Sequence, residues 1–98
     1  MKEYYVKHSN SNRSYYTVWR GTLEHLLNDV FGYTIECGHS WDNSINAHPK
    51  TGKGLVSALN KSCTATNRYY DYYELITKEE YNNLPGTEDF SNSKTIRE

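Results

Sequence analysis

Two cysteines and two histidines are the side chains of this chain best suited to hold a metal ion or to form a nucleophilic pair. They are Cys37, His39, His48 and Cys63. Zinc sites that stabilise a fold place their ligands in close pairs, and this C-x-H pair, followed by gaps of eight and fourteen residues, matches none of those patterns. A nucleophilic thiol needs a lowered pKa and an orienting third group, and the sequence around Cys37 indicates neither. We therefore predict no metal, no cofactor and no catalytic residue.

The segment Pro49–Gly54 is the next candidate, because its lysines and glycines superficially resemble a phosphate-binding loop. That motif needs a glycine where Ala47 stands and a hydroxyl residue at the end of the segment, so nucleotide hydrolysis is excluded. Backbone N–H groups at a helix N-terminus nevertheless attract anions. Lys50 and Lys53, with Arg68, are therefore the candidate residues for binding a phosphorylated ligand. The other interpretation, which we favour for this segment, is a flexible, solvated junction between a loop and a helix.

Tyrosine supplies ten of the 98 residues, and eight of the ten occur as adjacent pairs. Successive side chains on a β-strand point to opposite faces, so each pair directs one ring to the core and one to the surface. A tyrosine ring is apolar while its hydroxyl can stay hydrated, which suits both places. The sequence therefore predicts a sheet face rich in exposed rings. We assign partner binding to six aromatic residues: Tyr5, Tyr15, Trp19, Trp41, Tyr70 and Tyr72.

Three interpretations of this aromatic face remain open from the sequence. Tyr, Trp and Arg are enriched in protein interfaces, so the face could contact another protein or a second copy of the chain. The rings could instead pair across strands and only stabilise the sheet. Rings beside Lys7, Arg13, Arg20 and Arg68 could also stack on unpaired RNA bases or on a nucleotide.

The elements that position these residues follow from the hydrophobic pattern. Four β-strands are predicted, over 3–8, 15–20, 33–37 and 69–76. Apolar residues at helical spacing predict a first helix over 22–31 and a second over 51–63. Thr77–Glu80 has the sequence of a capping box, so a short third helix begins there. Residues 38–54 are the least regular part of the chain.

The order β-β-α-β-α-β predicts an α+β fold. Its four-stranded, mostly antiparallel sheet carries two helices on one face, and a short helical turn follows near the C-terminus. We expect residues 1–86 to form a single domain, because a chain of this size cannot build two cores. Residues 87–98 are expected to form a polar, flexible tail.

Charge and hydropathy exclude several classes of function. The formal net charge is −1, so no global field draws the chain to nucleic acid or to an anionic membrane, and the dense acidic surface of a DNA mimic is lacking. No apolar run approaches the ~20 residues that a membrane helix needs, and the first residues lack the apolar stretch of a signal peptide. We therefore expect a cytoplasmic protein.

Four short stretches of the chain have sequences like those of one known class of proteins. They are Gly21-Thr22-Leu23, Phe31-Gly32-Tyr33-Thr34, Cys37-Gly38-His39-Ser40-Trp41 and the ending Leu75–Tyr81. The chain resembles small accessory proteins of tailed bacteriophages. The resemblance implies a non-enzymatic binder in the host-cell cytoplasm that blocks or redirects a host protein, including proteins of defence systems. Some phage proteins of this kind sequester nucleotide signals, so single-stranded RNA or a nucleotide signal is the alternative ligand.

Overall fold

A computed structural model describes residues 2–31, 49–65, 67, 69–85, 88–89 and 92–97. The strands are β1 Glu3–Asn10, β2 Tyr15–Thr22, β3 Asp71–Ile76, β4 Glu88–Asp89 and β5 Ser93–Arg97. The helices are α1 Leu23–His25, continued by a π-helix over Leu26–Phe31, then α2 Gly52–Ala65 and α3 Lys78–Asn83. The protein is therefore an α+β fold, as predicted.

One antiparallel sheet runs through the molecule, with its strands in the order β3-β1-β2-β5-β4. The predicted hairpin of β1 and β2 lies near its centre, with Val6 opposite Trp19. β3 pairs with the other side of β1, where Leu75 lies opposite Val6. Three of the four predicted strands are thus confirmed. The fourth, over 33–37, lies outside the described residues, as does most of the predicted loop over 38–54.

The C-terminal residues belong to the sheet, which corrects the prediction of a flexible tail over 87–98. β5 pairs with β2 along Ser93–Arg97, and Ile96 is buried there. Lys94 is also buried, and its ammonium group donates a hydrogen bond of 2.9 Å to the Tyr81 carbonyl in α3. A polar segment with one apolar side chain carries no strand pattern. Only pairing with the free side of β2 makes these residues a strand of the same domain.

The first two helical segments cover one face of the sheet. Val6, Trp19 and Leu75 share this face, because residues paired across neighbouring strands point the same way. They pack against a main core of apolar side chains from the π-helix and α2: Leu26, Phe31, Leu55, Ala58, Leu59 and Cys63. Each fully buried Leu or Phe stabilises the fold by roughly 1.5–3 kcal/mol relative to an exposed one. This layer is the larger of the two hydrophobic clusters that the described residues form.

α2 begins in close contact with β1. A Cβ atom on Gly52 would lie 2.4 Å from Cδ1 of Tyr4, so no other residue fits without moving that ring. Thr51 caps the helix, since its Oγ1 accepts a hydrogen bond of 2.9 Å from the Gly54 N–H. Gly52 has a low helix propensity, but its contact with Tyr4 requires a residue without a side chain at this position.

α3 lies on the opposite face of the sheet and covers one end of it. Thr77 and Glu80 form the predicted capping box at its start. Tyr81 is buried and packs against Tyr5, with ring centroids 5.2 Å apart. At the other end of this face Tyr72 is 54% exposed. One half of the face is therefore core, and the half that carries Tyr72 is surface.

Candidate functional site: an exposed tyrosine corner

Three tyrosines form the most prominent apolar surface of the described residues. Tyr69, Tyr70 and Tyr72 are 70%, 58% and 54% exposed, and we call these three residues the tyrosine corner. A whole tyrosine side chain measures about 150–250 Å², so the exposed areas of the three side chains add up to roughly 300–450 Å². One partner contributes about 800 Å² to a standard protein interface, so this sum is about half of that share.

The backbone of the tyrosine corner is fixed by its neighbours. The Ser11 N–H donates to the Tyr70 carbonyl at 3.0 Å, which ties the corner to the β1–β2 turn. The Tyr69 hydroxyl donates to Oδ1 of Asn67 at 2.9 Å, and Asn67 has a φ of 59°, which asparagine tolerates better than most residues. Tyr72 lies within β3, opposite Ser9 of β1. The rings are therefore presented from an ordered backbone.

Tyr16 lies on the same face of the sheet as Tyr72, on the other side of Ser9. Tyr72, Ser9 and Tyr16 form one row across β3, β1 and β2, so about 10 Å separates the two tyrosine positions. The residue between them, Ser9, has a small side chain. Lys7 borders the row: its ammonium lies 4.3 Å from the centroid of the Tyr16 ring and 3.6 Å from Oε1 of Glu74. The rings are thus bordered by a polar rim, as in protein interfaces.

The outer edge of β3 is partly closed by a side chain of α2. The Asn60 amide donates to the Tyr73 carbonyl at 2.8 Å and accepts from the Tyr73 N–H at 2.9 Å. Asn60 thereby imitates the backbone of a neighbouring strand. A partner strand cannot pair with Tyr73 unless Asn60 leaves. The edge of β3 is therefore blocked at Tyr73, whereas the rings of the tyrosine corner stay exposed.

The six aromatic residues predicted to bind a partner do not share one face. Tyr70 and Tyr72 lie together in the tyrosine corner. Tyr5 is buried beneath α3, and Trp19 packs against the main core on the opposite face. Tyr5 therefore cannot form the predicted contact surface, because α3 covers it. Trp19 is half-buried, but it lies on the opposite face of the sheet from Tyr72, so the two cannot share one contact surface. Both outcomes depend on where the helices lie, which strand alternation alone does not show.

Tyr15 and Trp41 complete that set. Tyr15 is half-buried near the β1–β2 turn, and two guanidinium groups approach its ring: Arg13 at 5.6 Å and Arg97 at 5.7 Å from the centroid. Arg97 contributes because β5 places it opposite Tyr15. Trp41 lies outside the described residues.

The structure describes two of the three predicted anion-binding residues. Lys50 and Lys53 are exposed on either side of the point where α2 begins, and the first turn of α2 contains no acidic residue. Two positive side chains therefore stand at the positive end of the helix dipole, where acidic residues are favoured. Arg68 lies outside the described residues.

Sequence reasoning missed a buried polar cluster that joins β1 to β3. Nε2 of His8 lies 3.0 Å from Oδ1 of Asp71, and the Asn10 amide donates to the same oxygen at 2.7 Å. The His8 ring stacks on Tyr73 with centroids 4.4 Å apart. Because 63 residues separate His8 from Asp71, no local spacing reveals the pair. The geometry is that of a polar tie between two strands.

Among the residues that the structure describes, no group of three or more His, Cys, Asp or Glu side chains is arranged to hold a metal ion. Cys63 is buried in the main core on α2, as its place on the apolar stripe predicts. Cys37, His39 and His48 lie outside the described residues.

Comparisons with protein-family models, with curated proteins and with solved structures give no match to this chain. None of the helices described is long and apolar enough to cross a membrane.

Proposed function

We propose that this protein is a non-enzymatic binding module that docks on a partner protein through the tyrosine corner. The observation that carries the proposal is the exposure of three tyrosines within four residues, on a backbone held by hydrogen bonds and strand pairing. Aromatic side chains with two rotatable bonds give a large contact area at a low entropic cost. Binding through such preordered rings loses little free energy to ordering.

The partner and its place follow from the resemblance to phage accessory proteins. On that basis we propose a host protein, including a component of a defence system, as the partner, and the host-cell cytoplasm as the compartment. A second copy of the chain is the other protein that such a corner fits, because an interface around a two-fold axis uses the same patch twice.

The double substitution Tyr70→Ala/Tyr72→Ala tests the proposal. Central tyrosines in interfaces each cost about 2 kcal/mol or more when truncated, which is roughly a 30-fold loss of affinity. Exposed positions away from the core change the free energy of unfolding by only about 0.5 kcal/mol. We expect the variant to keep its unfolding midpoint and to lose a protein that the wild-type chain captures from host lysate.

Two controls make the capture experiment specific. Tyr70→Phe/Tyr72→Phe keeps the rings and should retain most of the binding, whereas Lys61→Ala changes an exposed side chain on α2 and should retain all of it. Size-exclusion chromatography with light scattering shows whether a dimer forms and whether the alanine variant dissociates it. If the alanine variant is folded and captures the same protein as strongly, or if the wild type stays monomeric and captures nothing, the proposal is wrong.

The second candidate is binding of a phosphorylated ligand, either single-stranded RNA or a nucleotide signal. The observation that favours it is the pair of exposed lysines at the start of α2, with no acid in its first turn. Salt-sensitive binding of an RNA oligonucleotide that Lys50→Gln/Lys53→Gln abolishes would support this candidate.

A further inference from the structure

A groove of about 520 Å³ opens at the end of the sheet where β1 begins and β3 ends. Its apolar wall is formed by Tyr4, Leu75 and Ile76, and its charged side chains are Lys2, Lys78 and Glu3. We call it the lysine groove. Sites for small molecules commonly measure 300–1,000 Å³ and combine apolar walls with a few charged groups. The lysine groove has both properties.

The two ammonium groups of the lysine groove lack a carboxylate partner in the part of the chain that the structure describes. Lys2 lies with its ammonium 5.2 Å from the centroid of the Tyr4 ring. Lys78 is exposed and is the first residue of α3. Glu80, in the same turn, uses its carboxylate to accept the Thr77 N–H at 3.1 Å.

The start of α2 packs on the same wall, because Gly52 lies directly against the Tyr4 ring. Among the described residues, however, those that line the groove come from β1, β3 and their flanking positions and not from α2. The positive charge inside the groove is therefore that of Lys2 and Lys78.

We propose that the lysine groove binds a small organic anion. Its phosphate, sulfonate or carboxylate group lies between the ammonium groups of Lys2 and Lys78, and its ring packs on the apolar wall of the groove. This site goes beyond the proposed docking function and does not rest on it. β1 spans eight residues, so roughly 20 Å separates the groove from the tyrosine corner.

Four probes distinguish the charged half of the ligand from the apolar half. They are 8-anilinonaphthalene-1-sulfonate, AMP, adenosine and inorganic phosphate. We expect the first two to bind, with AMP displacing the fluorescent sulfonate, and to shift the backbone amide NMR signals of Tyr4, Leu75 and Ile76. Adenosine and inorganic phosphate each lack one half, so they should bind at least about tenfold more weakly.

Three variants locate the site. Lys2→Gln/Lys78→Gln should weaken both anions by about tenfold or more and should remove their dependence on salt. Lys61→Gln, an exposed lysine on α2, is the matched control and should change nothing. Tyr70→Ala/Tyr72→Ala should also bind both probes normally, so the proposals for the lysine groove and for the tyrosine corner are tested independently.

Three results would overturn the inference. The first is a folded Lys2→Gln/Lys78→Gln variant that binds both anions as the wild type does. The second is binding that Lys50→Gln/Lys53→Gln removes instead, since it places the anion at the start of α2. The third is the absence of any shift at Tyr4, Leu75 and Ile76 with millimolar probe.

Discussion

The Asn60→Ala substitution tests how α2 closes the edge of the sheet. It removes the two hydrogen bonds of 2.8 and 2.9 Å that Asn60 makes to the Tyr73 backbone. At about 1 kcal/mol each, these bonds stabilise the fold by about 2 kcal/mol. Alanine returns about 0.5 kcal/mol through its higher helix propensity. We therefore expect the free energy of unfolding to fall by about 1.5 kcal/mol.

Urea denaturation measures the effect on the free energy of unfolding, and hydrogen exchange measures it at the Tyr73 amide. With a denaturant slope of about 1–3 kcal/mol/M, the urea midpoint should fall by roughly 0.5–1.5 M. The Tyr73 amide should exchange faster, because it loses its acceptor on Asn60. Lys61→Ala is the matched control one residue further along the helix. If Asn60→Ala keeps the midpoint of Lys61→Ala and the Tyr73 amide keeps its protection, Asn60 does not close this edge.

Two further predictions concern packing that the sequence pattern argues against. Gly52→Ala should lower the melting temperature despite the better helix propensity of alanine, since the new Cβ would lie 2.4 Å from Tyr4. Gly54→Ala is the control and should be less destabilising, because the nearest atom to its new Cβ would be Thr51 Oγ1 at 3.2 Å. Equal stability of the two variants would count against the contact between Gly52 and Tyr4. Ile96→Ala should cost about 2–4 kcal/mol of unfolding free energy because the side chain is buried on β5, whereas a change within 0.5 kcal/mol would restore the interpretation of a frayed tail.

The two candidate sites use the two ends of one sheet differently. At the end near the β1–β2 turn, the uncovered rings of Tyr70 and Tyr72 offer flat, uncharged area for a protein surface. At the other end, Lys2 and Lys78 line an apolar groove, for which we propose a small anion as the ligand. Their separation leaves room for one molecule to bind a protein partner and a small ligand at once.

Local sequence signals predicted most of the elements of this fold. Alternation around Val6 and Val18 predicts the central hairpin, and the stripe of Leu55, Leu59 and Cys63 predicts the buried side of α2. Thr77 and Glu80 predict the start of α3 to the residue. These signals succeed because capping and periodicity depend on neighbours in the chain.

The same signals could not locate the contact surface. Strand alternation puts one ring of each tyrosine pair outside the main core, but it does not show that α3 then covers Tyr5. The lysine groove was missed for a similar reason, since Lys2 and Lys78 are 76 positions apart in the sequence. Both outcomes depend on where the short α3 helix lies against the sheet.

The amino-acid order by itself determined which residues form the hairpin, the helices and their buried stripes, because those choices are made within a few residues. Only the tertiary structure decided which tyrosines remain at the surface, how Ser93–Arg97 joins the sheet and which lysines meet at one groove. Those results come from contacts between residues far apart in the chain, and no local pattern encodes which distant surface will cover a given side chain.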